Sequence, residues 1–538
     1  LQHSGSIRAN GLVQDADGTI RLVAVDKATV SGAVDVSGNV GGKIEILGDE
    51  VVIADGANID ASGASQGGEI LIGGDQQGLN PEVRNARSTT IAKNAVVHAD
   101  ATDNGDGGKV IVFASNDVHV HGEVTARGGA NGGDGGFVET SGLKLLDITR
   151  IPDVTAEYGK GGEWLIDPFS ILINNTGGND PTYDGTTFTS SIDNTFLDVN
   201  LIIAALDSSI NVTISTGADV TGLGNITLDA PLSVSASTPG IFTLNAHNDI
   251  IINADITSSF PMSVALNANL DGAGGGGVIL NNTIIDTGNN TATAPFTMAG
   301  EFIRVIGAAS IIKESGLFSI GAPLTINSGG TLSIGSGSGA GSTLTLSGAE
   351  IINDGTFLSN GGCSDGCGTI AIRNLFTNKN TFRHLLGETV IDGIFRNSGI
   401  IDISDASFQS GISVGALVNG LLELNVGSSV TGVSAGQLRI LGLGTLNVLS
   451  PTIFNPLLEL SLLQGNIDNA QNLTIPDTFI WAGGTISGNG AFITPNTSLT
   501  TIEGGQSIGN ILQGLSPTQT LDWFNDGAVT WTGNGSLP

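Results

Sequence analysis

Gly42-Lys43-Ile44-Glu45-Ile46-Leu47-Gly48-Asp49-Glu50-Val51-Val52-Ile53-Ala54-Asp55-Gly56-Ala57-Asn58-Ile59-Asp60 is the stretch that decides the fold. Short β-branched runs alternate with polar residues and are punctuated by Gly, Asp and Asn. Period-two alternation over four to six residues predicts strands, and the Gly/Asx punctuation predicts tight bends between them. About three such strands fit in one unit, and one unit carries too little apolar surface to fold alone. Neighbouring units must therefore stack.

The unit recurs. A Gly-Gly pair precedes a strand at Gly41-Gly42, Gly67-Gly68, Gly107-Gly108, Gly135-Gly136 and Gly161-Gly162. Measured between the second glycines (Gly42, Gly68, Gly108, Gly136, Gly162), the spacings are 26, 40, 28 and 26. The long interval contains Asp75 to Ser88, a polar stretch with Pro81 and two Arg, read as a loop extruded from one turn. Farther along, Asn353-Asp354-Gly355, Asn378-Lys379-Asn380 and Asn397-Ser398-Gly399 recur at spacings of 25 and 19, and Asn525-Asp526-Gly527 repeats the phrase near the end. Asn and Gly suit such corners because they tolerate the left-handed conformation. Independent hairpins of several sandwiches are the competing reading, and whole-turn spacing disfavours it.

The expected fold is all-β: a right-handed parallel β-helix of roughly 20–25 turns with loop excursions, at ~23 residues per turn. With ~4.8 Å between neighbouring strands, this is a rod on the order of 110 Å long. Three stretches are distinguished within one continuous rod: Gly-rich repeats over 1–175, continuing helix over 176–345, and Asn/Gly-turn repeats over 346–538. Asp198 to Leu206 reads as a short helical excursion with an Asp cap, and Pro168 to Tyr183 as a loop or irregular junction.

Composition agrees with a folded, anionic surface. The 538 residues include 81 Gly, with 19 Lys plus Arg against 51 Asp plus Glu, a net charge of -32. A hydrophobic fraction of 40% and a mean hydropathy of +0.22 supply the core that such a charge alone would deny. A polyanion repels nucleic acid and anionic membrane surfaces, so neither is an expected partner. No apolar run approaches the ~18 residues that span a bilayer, so membrane insertion is not expected. The chain begins at Leu1 without a signal peptide and is read as a mature product or an excised segment.

The first 300 residues resemble the filamentous haemagglutinin-like exoproteins of bacterial two-partner secretion. The likeness rests on Gly42 to Gly48, Asn58 to Gly63, Gly68 to Asp75 and Thr125 to Glu139. It also rests on Trp164-Leu165-Ile166-Asp167-Pro168 and on Asn225-Ile226-Thr227-Leu228 through Asn248-Asp249-Ile250-Ile251-Ile252. From about residue 300 onward the likeness is to Gly/Asn-rich bacterial adhesin repeats in general. The resemblance implies a secreted β-helical shaft at the outer surface of a Gram-negative-type bacterium, exported through an outer-membrane partner pore. Its expected roles are adhesion to a surface receptor or glycan and biofilm formation. The Asn-Pro-Asn-type secretion motif is not matched by Asn80-Pro81-Glu82 or Asn455-Pro456-Leu457, and no C-terminal toxin is visible. The chain is therefore expected to be a piece of the shaft.

No catalytic constellation stands out. His-Glu-x-x-His and phosphate loops are absent from the sequence, and no enzyme activity is expected. Two structural alternatives stand beside the adhesive rod: self-association into filaments through open strand edges, and a polysaccharide-processing β-helix. His119-Val120-His121 places two imidazoles on one strand face with Asp117, a pattern that suits a metal. An exposed strand face is the favoured reading, because no third ligand recurs at repeat spacing. Gly128 to Gly136, with Asn131 and Asp134, is superficially like calcium-binding nonapeptide repeats, but one irregular copy reads better as a turn loop. Calcium at stacked Asp corners stays open; no other cofactor is expected. In an exported protein, Cys363 and Cys367 favour a disulfide closing a five-residue loop, a contribution of about 2 kcal/mol on the chain-entropy model; two free thiols are the alternative.

Overall fold

The computed structural model describes residues 18–175 without a break and further segments between 195 and 503, with short pieces at 2–3, 5–8, 523–525 and 527–531. Cys363, Cys367 and Gly399 lie outside the described residues, as does the junction from residue 176 to Tyr183. The chain is nearly all β, 53% strand. Among the described residues it has one α-helix, Val199–Asp207. Its first-turn donors are met by Asp198, whose carboxylate accepts from Asn200 N at 2.9 Å. Contacts group the chain into two compact units, Leu1–Val278 and Ile279–Pro538.

In the first unit the chain runs through three sheets in turn and comes back beside itself. Lys43–Leu47, Glu50–Ile53 and Asn58–Asp60 lie in three different sheets. Glu69–Ile72 then returns to pair in parallel with Lys43–Leu47. Ser88–Ile91 pairs with Glu50–Ile53 and Val96–His98 with Asn58–Asp60. The next circuit, Lys109–Ala114, Asp117–Val120 and Glu123–Thr125, adds one parallel strand to each sheet. These circuits share three sheets, with Gly38–Val40 and Gly63–Gln66 adding a short fourth pair in the first two, and every strand pairing among the described residues is parallel. Such stacked parallel sheets are consistent with a solenoid.

Register makes the core. Ile20, Ile44, Ile70, Val110, Val138, Trp164, Val212, Phe242 and Val264 occupy one row of the first sheet. Val30, Ile53, Ile91, Val120 and Ile148 form a row of the second, and Val34, Ile59, Val97 and Val124 a row of the third. All are buried. Full burial of each such side chain contributes about 1.5–3 kcal/mol, so the rows, rather than any single circuit, hold the unit together.

The corner glycines are required by close approach. A Cβ on Gly68 would lie 2.2 Å from Gly42 O, one on Gly108 2.1 Å from Gly68 O, one on Gly136 2.1 Å from Gly108 O, and one on Gly162 2.0 Å from Gly136 O. Each turn therefore rests on the carbonyl of the one before.

In the second unit the corners differ from expectation. Asn353, Asn378 and Asn397 sit in strands, in one register row, with fully buried side chains and without left-handed backbone. They form an amide ladder in which Asn353 Nδ2 donates to Asn378 Oδ1 and Asn378 Nδ2 to Asn397 Oδ1, both at 2.6 Å. Gly355 and Gly527 likewise serve close approach: an added Cβ would meet Gly330 O at 2.3 Å and Ser498 O at 2.4 Å. Beside the ladder, Phe357 stacks on Phe382 and Phe376 on Phe395, with ring centroids 5.4 and 4.7 Å apart.

Candidate functional site

Corner aspartates are mostly spoken for by the backbone. Asp106 Oδ1 accepts from Asp134 N, and Asp134 Oδ1 accepts from Lys160 N, each at 2.8 Å. Asn131 donates to Asp103 at 2.6 Å. The Gly128 to Gly136 run is thus tied to its neighbours by its own polar groups, as a turn loop is. Within circuits, Asp35, Asp60 and Asp153 each accept from the N–H two residues on. Outside the corners, Lys43 Nζ reaches Glu69 at 2.8 Å and Lys109 Nζ reaches it at 3.7 Å, an alternating row of charges across three strands.

Two clusters depart from this structural use. The first contains His119 and His121. Their expected companion Asp117 lies on the same strand, opposite Leu145 of the neighbouring strand, and is not part of the group. The third member is instead Asp147, which pairs with His119 in register from the strand Leu145–Ile148. His121 Nε2 lies 2.8 Å and His119 Nδ1 3.4 Å from Asp147 Oδ2, with the two rings edge-to-face at 6.3 Å between centroids. Burial works to raise the Asp147 carboxyl, but hydrogen bonds from both imidazoles and their charge hold it down at about 2. The same hydrogen bond to Asp147 raises His121 against the effect of burial. Asp117, by contrast, is raised by burial, against the pull of His119, Lys144 and Arg87.

The second cluster is built by the extruded loop. Residues 73–87 fold over the outer side of the first sheet instead of projecting from it. Val83 packs against Leu71, Ile111 and Phe113, and the bend is locked by Asn80 Nδ2 donating to Asp75 at 2.7 Å and Asn85 Nδ2 to Gly78 O at 2.8 Å. Beneath this roof lie Glu139 and Asp167, 0% and 3% exposed. Gln77 bridges them: its backbone N–H donates to Glu139 Oε1 at 2.8 Å and its side-chain amide to Asp167 Oδ2 at 3.0 Å. To do so Gln77 adopts φ 54°, a left-handed backbone that a non-glycine residue accepts only under constraint. Glu139 Oε2 and Asp167 Oδ1 are buried without partners. Burial pushes both carboxyls up to about 7, and for Glu139 the Asp167 charge adds to it.

Sequence reading did not single out Asp147, Glu139, Asp167 or Gln77. For Asp147 the clue was present, since it follows His119 by 28 residues, the spacing from Gly108 to Gly136. No protein-family model matches the chain, and a comparison with curated proteins finds no match. The likeness to filamentous haemagglutinin-like exoproteins therefore stands on the residues quoted for it alone.

Proposed function

We propose that the chain is a shaft segment of an extracellular structural or adhesive rod, a right-handed parallel β-helix of roughly 20–25 turns. It is exported through an outer-membrane partner pore and attaches its cell to a surface receptor or glycan. The observation that carries the reading is the register. Apolar rows run unbroken through nine strands of the first sheet in the first unit. A chain built this way gains stability with each added circuit and spends its sequence on extent. Support also comes from the aspartates, which cap backbone donors between turns and leave an acidic, repulsive exterior that suits dilute display outside a cell.

The test is to display the chain on a non-adherent bacterium and count cells retained on epithelial monolayers and immobilised glycans. Retention that soluble chain competes away is expected. Retention no higher than that of cells displaying an unrelated rod overturns the adhesive reading. Electron microscopy of the purified chain checks its form: thin rods are expected, whereas fibres much longer than one chain support filament assembly instead.

A further inference from the structure

We propose that His119, His121 and Asp147 form a binding site for a divalent transition metal of the Zn²⁺ class, which clips two neighbouring strands together. One ligand atom from each of His119, His121 and Asp147 lies within 4.8 Å of the other two. Metal–ligand bonds of ~2.0–2.2 Å place neighbouring donors ~3–3.5 Å apart around an ion. Of the separations from Asp147 Oδ2 to the two nitrogens, 3.4 Å falls within that range and 2.8 Å just below it. The backbone does the positioning. His119 lies in the strand Asp117–Val120 and His121 just past its end, two residues on and so on the same side, while parallel register sets Asp147 beside His119 on the next strand.

The donor set selects the ion. Two imidazoles and one carboxylate suit Zn²⁺, Co²⁺, Ni²⁺ or Cu²⁺, whereas Ca²⁺ and Mg²⁺ favour oxygen throughout. A second observation, independent of the imidazoles, points the same way. Asp147 is 9% exposed, and its other oxygen, Oδ1, is buried with no hydrogen-bond partner. An ion coordinated by this carboxylate compensates its charge and desolvation where the imidazoles alone engage a single oxygen. The His121 side chain is 35% exposed, so water reaches the remaining coordination positions. The clip is a property of two adjacent strands and holds whatever the chain attaches to.

The full chain, freed of metal with a chelator and dialysed, is titrated with Zn²⁺ by calorimetry and with Co²⁺ by visible absorption. One saturable equivalent is expected, with the intense d–d bands of Co²⁺ in a four- or five-coordinate nitrogen and oxygen environment. His121→Ala and the near-isosteric Asp147→Asn should each weaken Zn²⁺ binding by more than ~10-fold, beyond the loss typical of an outer-shell change. Asp117→Asn and His98→Ala, outside the group, should leave it unaltered. Circular dichroism of each variant controls for folding. Absence of saturable binding, or binding that survives both His121→Ala and Asp147→Asn, overturns the proposal.

Discussion

In the first unit the turns rest on one another through glycines, each occupying the space a Cβ would need against the preceding carbonyl, and the inward rows are filled mainly by Val, Ile and Leu. In the second unit Gly355 and Gly527 make such approaches too, but larger groups join them: a buried row of Asn353, Asn378 and Asn397 and a stack of Phe357, Phe376, Phe382 and Phe395. The difference is one of tolerance. Glycine stacking depends on a repulsive wall, which admits no added atom. Amide and aromatic stacking depends on attractions between neighbours, each of which fails gradually and locally. The first unit should therefore be brittle at its corners, and the second sensitive to the middle of its ladders more than to their ends.

The sharpest way to break this contrast is Gly136→Ala. Its Cβ would lie 2.1 Å from Gly108 O, and backbone cannot yield as a side-chain tip does. A loss of more than about 3 kcal/mol is expected, read as collapse of hydrogen-exchange protection in residues 109–166. Gly56→Ala, left-handed at φ 78° with open space around it, should cost only about 1–2 kcal/mol. Equal losses at the two sites would show that conformation, and not contact, governs the corners.

Glu139 and Asp167 make the first unit pH-sensitive in a direction opposite to ordinary acid denaturation. Their folded pKa values, about 7, lie above those of the unfolded chain, so folding binds protons. Their stabilising influence is complete below about pH 4, declines as pH rises through 7, and then levels off. Glu139→Gln should raise stability at pH 8 by about 3 kcal/mol and change little at pH 4. Chemical unfolding of both proteins across pH 4–8 checks this; a constant difference across the range would refute it. Asp147, held down at about 2, acts with the usual sign, and its contribution disappears only as pH falls from about 4 through 2.

Within the second unit, Asn378→Leu strands a donor on Asn353 and an acceptor on Asn397, an expected cost of about 2–4 kcal/mol. Asn353→Leu removes an oxygen that already lacks a partner, but also the amide that donates to Asn378 Oδ1 and Thr381 O, so a cost of about 1–3 kcal/mol is expected. Thermal unfolding of the two variants decides whether position in the ladder matters. The smallest effect expected is Phe382→Leu, about 1 kcal/mol for the lost aromatic stacking, measured by the same method.

Much of the stacking was legible in the residues. The 26-, 40- and 28-residue glycine spacings are the distances that bring Gly42, Gly68, Gly108 and Gly136 into contact, and 25 and 19 are the steps of the asparagine ladder. What the asparagines do there was not legible. A short amide reads as a turn residue from its neighbours in sequence, and only the circuits above and below offer it the partners that make burial favourable. The roof over Glu139 was hidden for a related reason. Val110-Ile111-Val112-Phe113 lacks alternation, which means cover on both faces, yet nothing local identifies a polar loop some thirty residues earlier as the cover. Asp147 was within reach, because the repeat length itself places it beside His119.

The insertion at residues 73–87 shows how such a chain is edited. One circuit grew by fourteen residues relative to its predecessor, yet Glu69–Ile72 and Lys109–Val112 remain paired without a slip. Length can thus be added at a corner without informing the rest of the stack. The added segment covers the sheet through Val83, and the two acids beneath it are out of contact with water. Lineages of this chain can be expected to vary by gain and loss of such awnings, each carrying its own local chemistry, over a frame that keeps its register.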